Sequence, residues 1–316
     1  MSRFSKHLAY LFVLGGFCLS LFASDVSRDA IANPQRPPFQ VSWTPVRITN
    51  GSPCLFKIIT ASPVESLNGT FIGHEVRFFR GQQKNTWYGF AGVDVDTATG
   101  SYKLDVIGTA KNGEKREFWH IVPVGKTIYP KVTLHVPGQF VAPSPEQQQQ
   151  IERDKTLKTA AFAEGALLPQ WSGNFSMPVE AEASDSFGTA RVFNGKVASV
   201  HRGTDFRVIS GTPVRAANDG QVVLASPLFF EGNCVVLDHG EGLKTIYMHL
   251  SEIQVKDGER VKKGQVIALS GGTGRATGPH LHLAVRWEGA YLDPTKLLQM
   301  QMPNYSDSVR SERATE

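Results

Sequence analysis

The chain has 316 residues, 41% of them hydrophobic and 20% charged, with a net charge of +4. That length allows about two globular domains, each able to bury a core. The small positive excess suits an anionic surface, but the basic residues are scattered, without an arginine-rich run or an aromatic RNA-binding signature, which speaks against nucleic acid as a partner.

Residues 1–24 begin with Arg3, Lys6 and His7, continue as an apolar stretch from Leu8 to Ala23 and end at Ser24 before Asp25. This is the pattern of an export signal, so the expected location is the periplasm, cell envelope or extracellular space. If the segment is uncleaved, the same stretch makes a transient membrane tether. Phe17 before Cys18 is bulky where a bacterial lipidation site has a small residue. Of the remaining cysteines, Cys54 and Cys234 fall in different predicted domains and read as buried free thiols.

Residues 25–38 form a proline-containing extended lead-in. From 39 to 137 the chain alternates β-type runs with turns: Phe39 to Trp43, Leu55 to Thr60, His74 to Arg80, Tyr88 to Val95, Ser101 to Ala110, Arg116 to Val122 and Lys131 to Val136. About seven short strands predict an antiparallel β-sandwich, with turns at Asn68-Gly69, Thr99-Gly100 and Asn112-Gly113. Asp94 and Asp96 fall on one face of a strand end and read as solvated. His74, His120 and His135 lack partners at metal-ligand spacing and read as structural. Trp87, Tyr88, Phe90 and Trp119 read as core aromatics, with a sugar-stacking surface as the alternative.

Residues 138–168 read as a helical linker. Ser144 is placed as N-cap, Pro145 at the first helical position and Gln147 to close a capping box, with the helix running to Ala163. Residues 169–300 return to strands separated by glycine-containing turns, and 301–316 read as a disordered polar tail. The loop from Gly271 to Gly278 lacks the Lys-Ser/Thr pair of a phosphate cradle and leads into a strand.

Chemistry concentrates in the second half. In Gly278-Pro279-His280-Leu281-His282-Leu283, strand alternation turns His280 and His282 to one face and the leucines to the core. His201-Arg-Gly-Thr-Asp205 adds a His and a carboxylate, and Tyr247-Met-His249-Leu250 one more His. Two His and one Asp around an open position suit a catalytic zinc. No HExxH helix is present, so a Glu general base of that kind is absent.

In order and wording these segments resemble peptidase family M23, the LytM and lysostaphin type. Gly211-Thr-Pro-Val214, Ala217-Asn-Asp-Gly220, Asn233 through Gly240 and Val261-Lys-Lys-Gly-Gln265 match as well. The resemblance covers roughly 170 to 298. It implies an antiparallel β domain whose groove holds one Zn2+ ligated by His201, Asp205 and His282, with His249 and His280 as the catalytic pair. It also implies hydrolysis of peptide bonds in bacterial peptidoglycan, at a cross-bridge or stem peptide. His239 is commonly present at its place in the family and reads as structural; Asp219 and Asp293 read as turn residues. Arg202 and Thr204 flank the ligands and are placed to orient them or to meet substrate. Where many members carry an acidic residue two positions after the second His of H-x-H, this chain has Ala284. The run from Trp87 to Tyr102 resembles an immunoglobulin-like module found ahead of some secreted M23 domains. A different class of function is an inactive M23-like domain that activates or scaffolds another wall hydrolase; the retained ligands argue against it. Separable domains further predict that residues 169 to 300 alone hydrolyse a short peptide.

Overall fold

The computed structural model describes residues 39–304 except Glu164, Asn194 and Lys196, with only the backbone of Val197 and Ala198. The export signal at 1–24, the lead-in at 25–38 and the tail from residue 305 onward lie outside the described residues. Among the described residues no helix is long and apolar enough to cross a membrane.

The molecule is mostly β. The first body comprises β1 (Phe39–Thr44), β2 (Ile48–Thr49), β3 (Pro53–Thr60), β4 (Ser66–Phe71), β5 (His74–Arg80), β6 (Thr86–Gly92), β7 (Gly100–Thr109) and β8 (Lys115–Gly125). They form one hydrogen-bonded path, β1-β3-β6-β5-β4-β7-β8-β2, in which β5 joins the sheet β1-β3-β6 to the sheet β4-β7-β8-β2. The path folds over, so that Phe39 of β1 stacks on Phe118 of β8 with ring centroids 3.9 Å apart.

Asn112-Gly113 makes the β7–β8 turn as its composition predicts, with the Asn112 side chain accepting from the Glu114 amide. Asn68-Gly69 does not turn. It lies inside β4, opposite Arg77 and Val76, and the β4–β5 hairpin turns instead at Ile72-Gly73, both with positive φ. Gly69 is there for space: a Cβ would stand 2.5 Å from the Asp105 carbonyl oxygen and 3.2 Å from the Phe78 ring.

After the first body come β9 (Lys131–Leu134), a single 3-10 turn and α1 (Pro145–Ala163). The capping box is formed: the Gln147 side chain accepts from the Ser144 amide at 2.8 Å and the Ser144 hydroxyl from the Gln147 amide at 3.3 Å. α1 lies on the second body, where Ala161 and Phe162 join Leu224, Leu228, Val236 and Ile246. Asp154 accepts from the Phe229 amide, and Lys158 pairs with Glu231.

The second body comprises β10 (Ala183–Asp185), β11 (Ala190–Phe193), β12 (Val197–Val200), β13 (Thr204–Phe206), β14 (Pro213–Arg215), β15 (Gly220–Leu228), β16 (Gly232–Asp238), β17 (Leu243–Ile253), β18 (Arg260–Val261), β19 (Val266–Ser270), β20 (Leu281–Trp287) and β21 (Ala290–Leu292), then α2 (Pro294–Gln299). Its main sheet runs β10-β13-β20-β17-β16-β15-β18, with β14 and β19 paired beside β17. Asp293 caps α2 by accepting from the Thr295 amide.

Two features depart from a sandwich ending at 137 that is joined to a separate domain by a linker. β9 leaves the first body and pairs in parallel with β11, making the three-stranded sheet β9-β11-β12. The two bodies also share one apolar core. Phe90 of β6 lies 6.2 Å from Trp171 and 6.4 Å from Trp287 between ring centroids, and Phe79 lies 5.8 Å from Trp171. Gly92 leaves room for Leu292, whose side chain would meet a Cβ there at 2.6 Å. Aromatic residues bury large areas per side chain, so a seam built on them joins the bodies as one unit.

Trp87 and Phe90 are core residues, whereas Trp119 is 60% exposed. Asp94 and Asp96 follow β6 instead of ending it, and both face the second body. Asp94 accepts from the Tyr291 amide, and Asp96 pairs with Arg202 at 3.0 Å. His74 packs on Trp287, His120 packs on Trp43, and His135 is exposed. Cys54 and Cys234 are buried and free.

Candidate metal centre

Strand register assembles the site. On β20 Leu281 and Leu283 are fully buried in the core, which turns His282 to the other face. His282 stands opposite Asp205 of β13 on one side and Met248 of β17 on the other. Direct cross-strand partners stand about 5 Å apart, within reach of a shared ion. His201, four residues before Asp205, completes the group after a turn at Gly203. A side chain at Gly203 could not fit: its Cβ would lie 2.3 Å from His282 Nε2 and 2.5 Å from the Leu283 carbonyl oxygen.

The donor atoms converge. His201 Nε2 is 3.1 Å from Asp205 Oδ1 and 3.0 Å from His282 Nδ1, and His282 Nδ1 is 2.8 Å from Asp205 Oδ1. Ligands at zinc distances around a tetrahedral ion stand about 3.3 Å apart, so this triangle is a few tenths of an ångström tighter than a filled site. All three residues are buried, and together they could hold a metal ion. The donor set fits: three lone-pair atoms facing one point repel unless a cation or proton lies between them. Burial alone would raise the Asp205 carboxyl. When protonated, His201 and His282 instead hydrogen-bond to it and hold it well below the usual carboxylate range, a place that a cation between the donors would take.

The outer contacts orient the ligands. His201 Nδ1 is 3.0 Å from the Ser186 carbonyl, so donating its N–H there leaves Nε2 as the free lone pair. Arg191 of β11 donates to Asp205 Oδ2 at 2.5 Å and is itself gripped by Asp185. Neither Arg191 nor Asp185 stood out in the sequence. Nothing in their spacing marks them, because β11 reaches the site through its own hairpin and its pairing with β9.

Beside the group stand two more imidazoles. His249 and His280 ring centroids are 4.8 Å apart, and His249 is 5.9 Å from His282. A register shift in β17 between Tyr247 and Leu250 contains His249, which adopts φ +61°, a conformation costly for a residue with a Cβ and found where a side chain is re-aimed. His249 Nδ1 is 2.8 Å from the Thr273 carbonyl, and His280 Nδ1 is 2.8 Å from the Gly278 carbonyl. Both rings therefore keep Nε2 as the unspent nitrogen. His280 Nε2 lies 3.7 Å from Asp205 Oδ1. Burial, then the neighbouring His282 and His280, pushes His249 down to about 3, so it is neutral near pH 7.

His201, His249 and His282 line a groove of about 380 Å³ together with Arg202, Arg275, Phe193, Phe230 and Tyr291. Arg202 stacks on Tyr291 and pairs with Asp96, while Thr204 is buried opposite Leu283. His239 lies outside the group: Nδ1 is 2.7 Å from the Asp219 carbonyl and Nε2 2.7 Å from the Thr245 hydroxyl. Asp219 holds the Lys262–Lys263 turn. Ala284 is fully buried against the patch beneath α1, where a carboxylate would be desolvated without a partner.

A His/Asp/His group on adjoining antiparallel strands, flanked by two further histidines in a groove, is the arrangement of a metallopeptidase. Residues 199–294 match the family model described as Peptidase family M23. The match lies within the second body and contains all five histidine and aspartate residues of the group described above. Over 119 residues it is 43% identical to the peptidoglycan DD-endopeptidase ShyA of Vibrio cholerae, covering 38% of this chain and 27% of that protein. Over 151 residues it is 38% identical to an uncharacterized metalloprotease of Haemophilus influenzae, covering 47% of this chain and 31% of that protein. The matches thus span under a third of these relatives' length. A crystal structure of a candidate M23 peptidase from Pseudomonas aeruginosa matches with a TM-score of 0.60 at 29% identity, covering 80% of this chain and 95% of that one.

Proposed function

We propose that the protein is an exported zinc metalloendopeptidase that hydrolyses peptide bonds in the cross-bridges or stem peptides of bacterial peptidoglycan. His201, Asp205 and His282 hold the zinc, and His249 and His280 act on the substrate. The observation that carries this reading is the convergence of three donor atoms within 3.1 Å of one another beside two histidines whose Nδ1 atoms are already engaged. The naming of a relative as a DD-endopeptidase supports the substrate class.

A zinc ion in this donor set supplies Lewis acidity, drawing the pKa of water toward about 7 and polarising a carbonyl. The chain supplies the rest. Arg191 fixes the Asp205 carboxylate, and the Ser186 carbonyl fixes the His201 tautomer. His249, neutral and held by Thr273, offers Nε2 as a proton acceptor. His280, held by Gly278, stands beside it. Between them the pair takes a proton from water, returns one to the leaving amine and hydrogen-bonds the tetrahedral oxygen. Full retention of both histidines and all three ligands disfavours the inactive-scaffold reading.

The test is digestion of purified cross-linked sacculi with and without a chelator, followed by separation of the muropeptides. Chelator-sensitive conversion of cross-linked dimers to monomers is expected. Intact cross-links with zinc-loaded protein would rule the reading out.

A further inference from the structure

The groove holds a cation that the mechanism above does not use. Arg275 sits in the Gly271–Gly278 loop, half-buried, with its guanidinium carbon 4.7 Å from the Phe193 ring centroid and 4.7 Å from that of Phe230. Arg191 engages Asp185 and Asp205, and Arg202 engages Asp96. Arg275 has no carboxylate within ion-pair distance and no hydrogen bond from its guanidinium among the described residues. The acidic side chain lining the same groove, Glu231, pairs through Oε1 with Lys158 of α1, while its buried Oε2 makes no hydrogen bond.

The loop is held in place. The Arg275 amide donates to the Phe230 carbonyl at 2.8 Å, and the Thr273 hydroxyl accepts from the Asn233 amide and donates to the Leu250 carbonyl. The Thr273 carbonyl also holds His249, so one loop sets both the imidazole and the guanidinium. Two rings beside the cation engage its charge and not its N–H groups, which can then receive a carboxylate in two parallel hydrogen bonds. Burial lowers the affinity of Arg275 for its proton, the nearby Glu231 carboxylate partly offsets that and Arg191 adds to it, yet an arginine stays charged in proteins. A preorganised, partly desolvated cation with no carboxylate in ion-pair contact favours an anionic ligand in the groove.

We propose that Arg275 is a specificity residue that receives a free carboxylate of the substrate peptide next to the scissile bond, so that the groove selects acidic peptides over their amidated forms. This inference rests on the peptidase reading of the same groove. It adds a chemical requirement on the substrate that the metal group and the two catalytic histidines do not impose.

The test uses full-length zinc-loaded protein and a matched pair of cross-linked peptides, one with the carboxylate adjacent to the cleaved bond free and one with it amidated. A charged hydrogen-bonded pair is worth about 10- to 100-fold in kcat/KM, expressed mainly in KM. Wild-type protein is expected to prefer the carboxylate form by that factor. Arg275→Gln is expected to bring the ratio to about 1, and Arg275→Lys to keep part of it, with zinc content equal in all three. A wild-type ratio near 1 overturns the inference and leaves the peptidase reading standing. So does a loss in Arg275→Gln that is equal for both peptides, which would mark a structural role. If the wild type cleaves neither peptide, the peptidase reading falls and this inference falls with it.

Discussion

The seam between the two β bodies makes a quantitative prediction through Phe90→Ala. Phe90 is 1% exposed and stands between Trp171 and Trp287, which are themselves 0% and 1% exposed. Removing a buried phenylalanine costs about 3–5 kcal/mol, because the surrounding rings cannot close the cavity. Against a typical total of about 5–15 kcal/mol this is a large fraction. At about 2–4 °C per kcal/mol for a body of this size, the melting temperature should fall by roughly 10 °C. Since the two indoles belong to the second body and Phe90 to the first, calorimetry should show one transition in the wild type and one in the variant, displaced as a whole. Two transitions, with only one moved by Phe90→Ala, would refute the shared core and restore separable domains. On the shared-core account, a fragment beginning at residue 169 exposes Trp171 and Trp287 and loses β9 from the sheet carrying Arg191. It should therefore be poorly folded and not an independently active peptidase.

Four further outcomes follow from the site. His282→Ala and Asp205→Ala should each lose bound zinc, measured by elemental analysis, because an open tetrahedral site needs all three protein ligands. His249→Ala and His280→Ala should keep the metal and lose about 10²–10⁴ in rate, since they remove proton transfer or an oxygen contact in the transition state. Arg191→Met should keep the fold and weaken zinc affinity about 10- to 100-fold in a chelator competition, because the Asp205 carboxylate loses the donor on its second oxygen. His239 is fully buried, and burial pushes it down from 6.5 to about 4. Its unfolded form takes up a proton that the folded form refuses, so stability should fall as pH drops from about 6.5 toward 4. The loss is about 3 kcal/mol at the lower end, measured by denaturant unfolding, and should be much smaller in His239→Gln.

The sequence exposed the centre more fully than its surroundings, for a physical reason. His280 and His282 alternate with core leucines, and His201 and Asp205 flank a glycine that closeness to His282 demands, so local spacing carries the chemistry. Ser144 and Gln147 likewise cap α1 through contacts three residues apart. What depended on distant packing was not legible. Asn68-Gly69 has turn composition, but its glycine answers to Phe78 and Asp105 across two neighbouring strands. β9 looks like one more strand of the first body and pairs instead with β11, nearly sixty residues later. Arg191 and Asp185 have no motif of their own, because their role follows from that pairing and from the turn that brings His201 to Ser186. The aromatic residues of the seam read as two cores, since periodicity tells which face is apolar and not what covers it.

The most direct measurement of the central claim combines metal content with cross-link cleavage on the same preparations of full-length protein and Asp205→Ala. Wild-type protein should carry about one zinc per chain and convert cross-linked muropeptide dimers to monomers, with activity lost on chelation and regained on adding zinc. Asp205→Ala should do neither while melting as a folded protein. Stoichiometric zinc in Asp205→Ala, or cross-links left whole by the zinc-loaded wild type, would contradict the account.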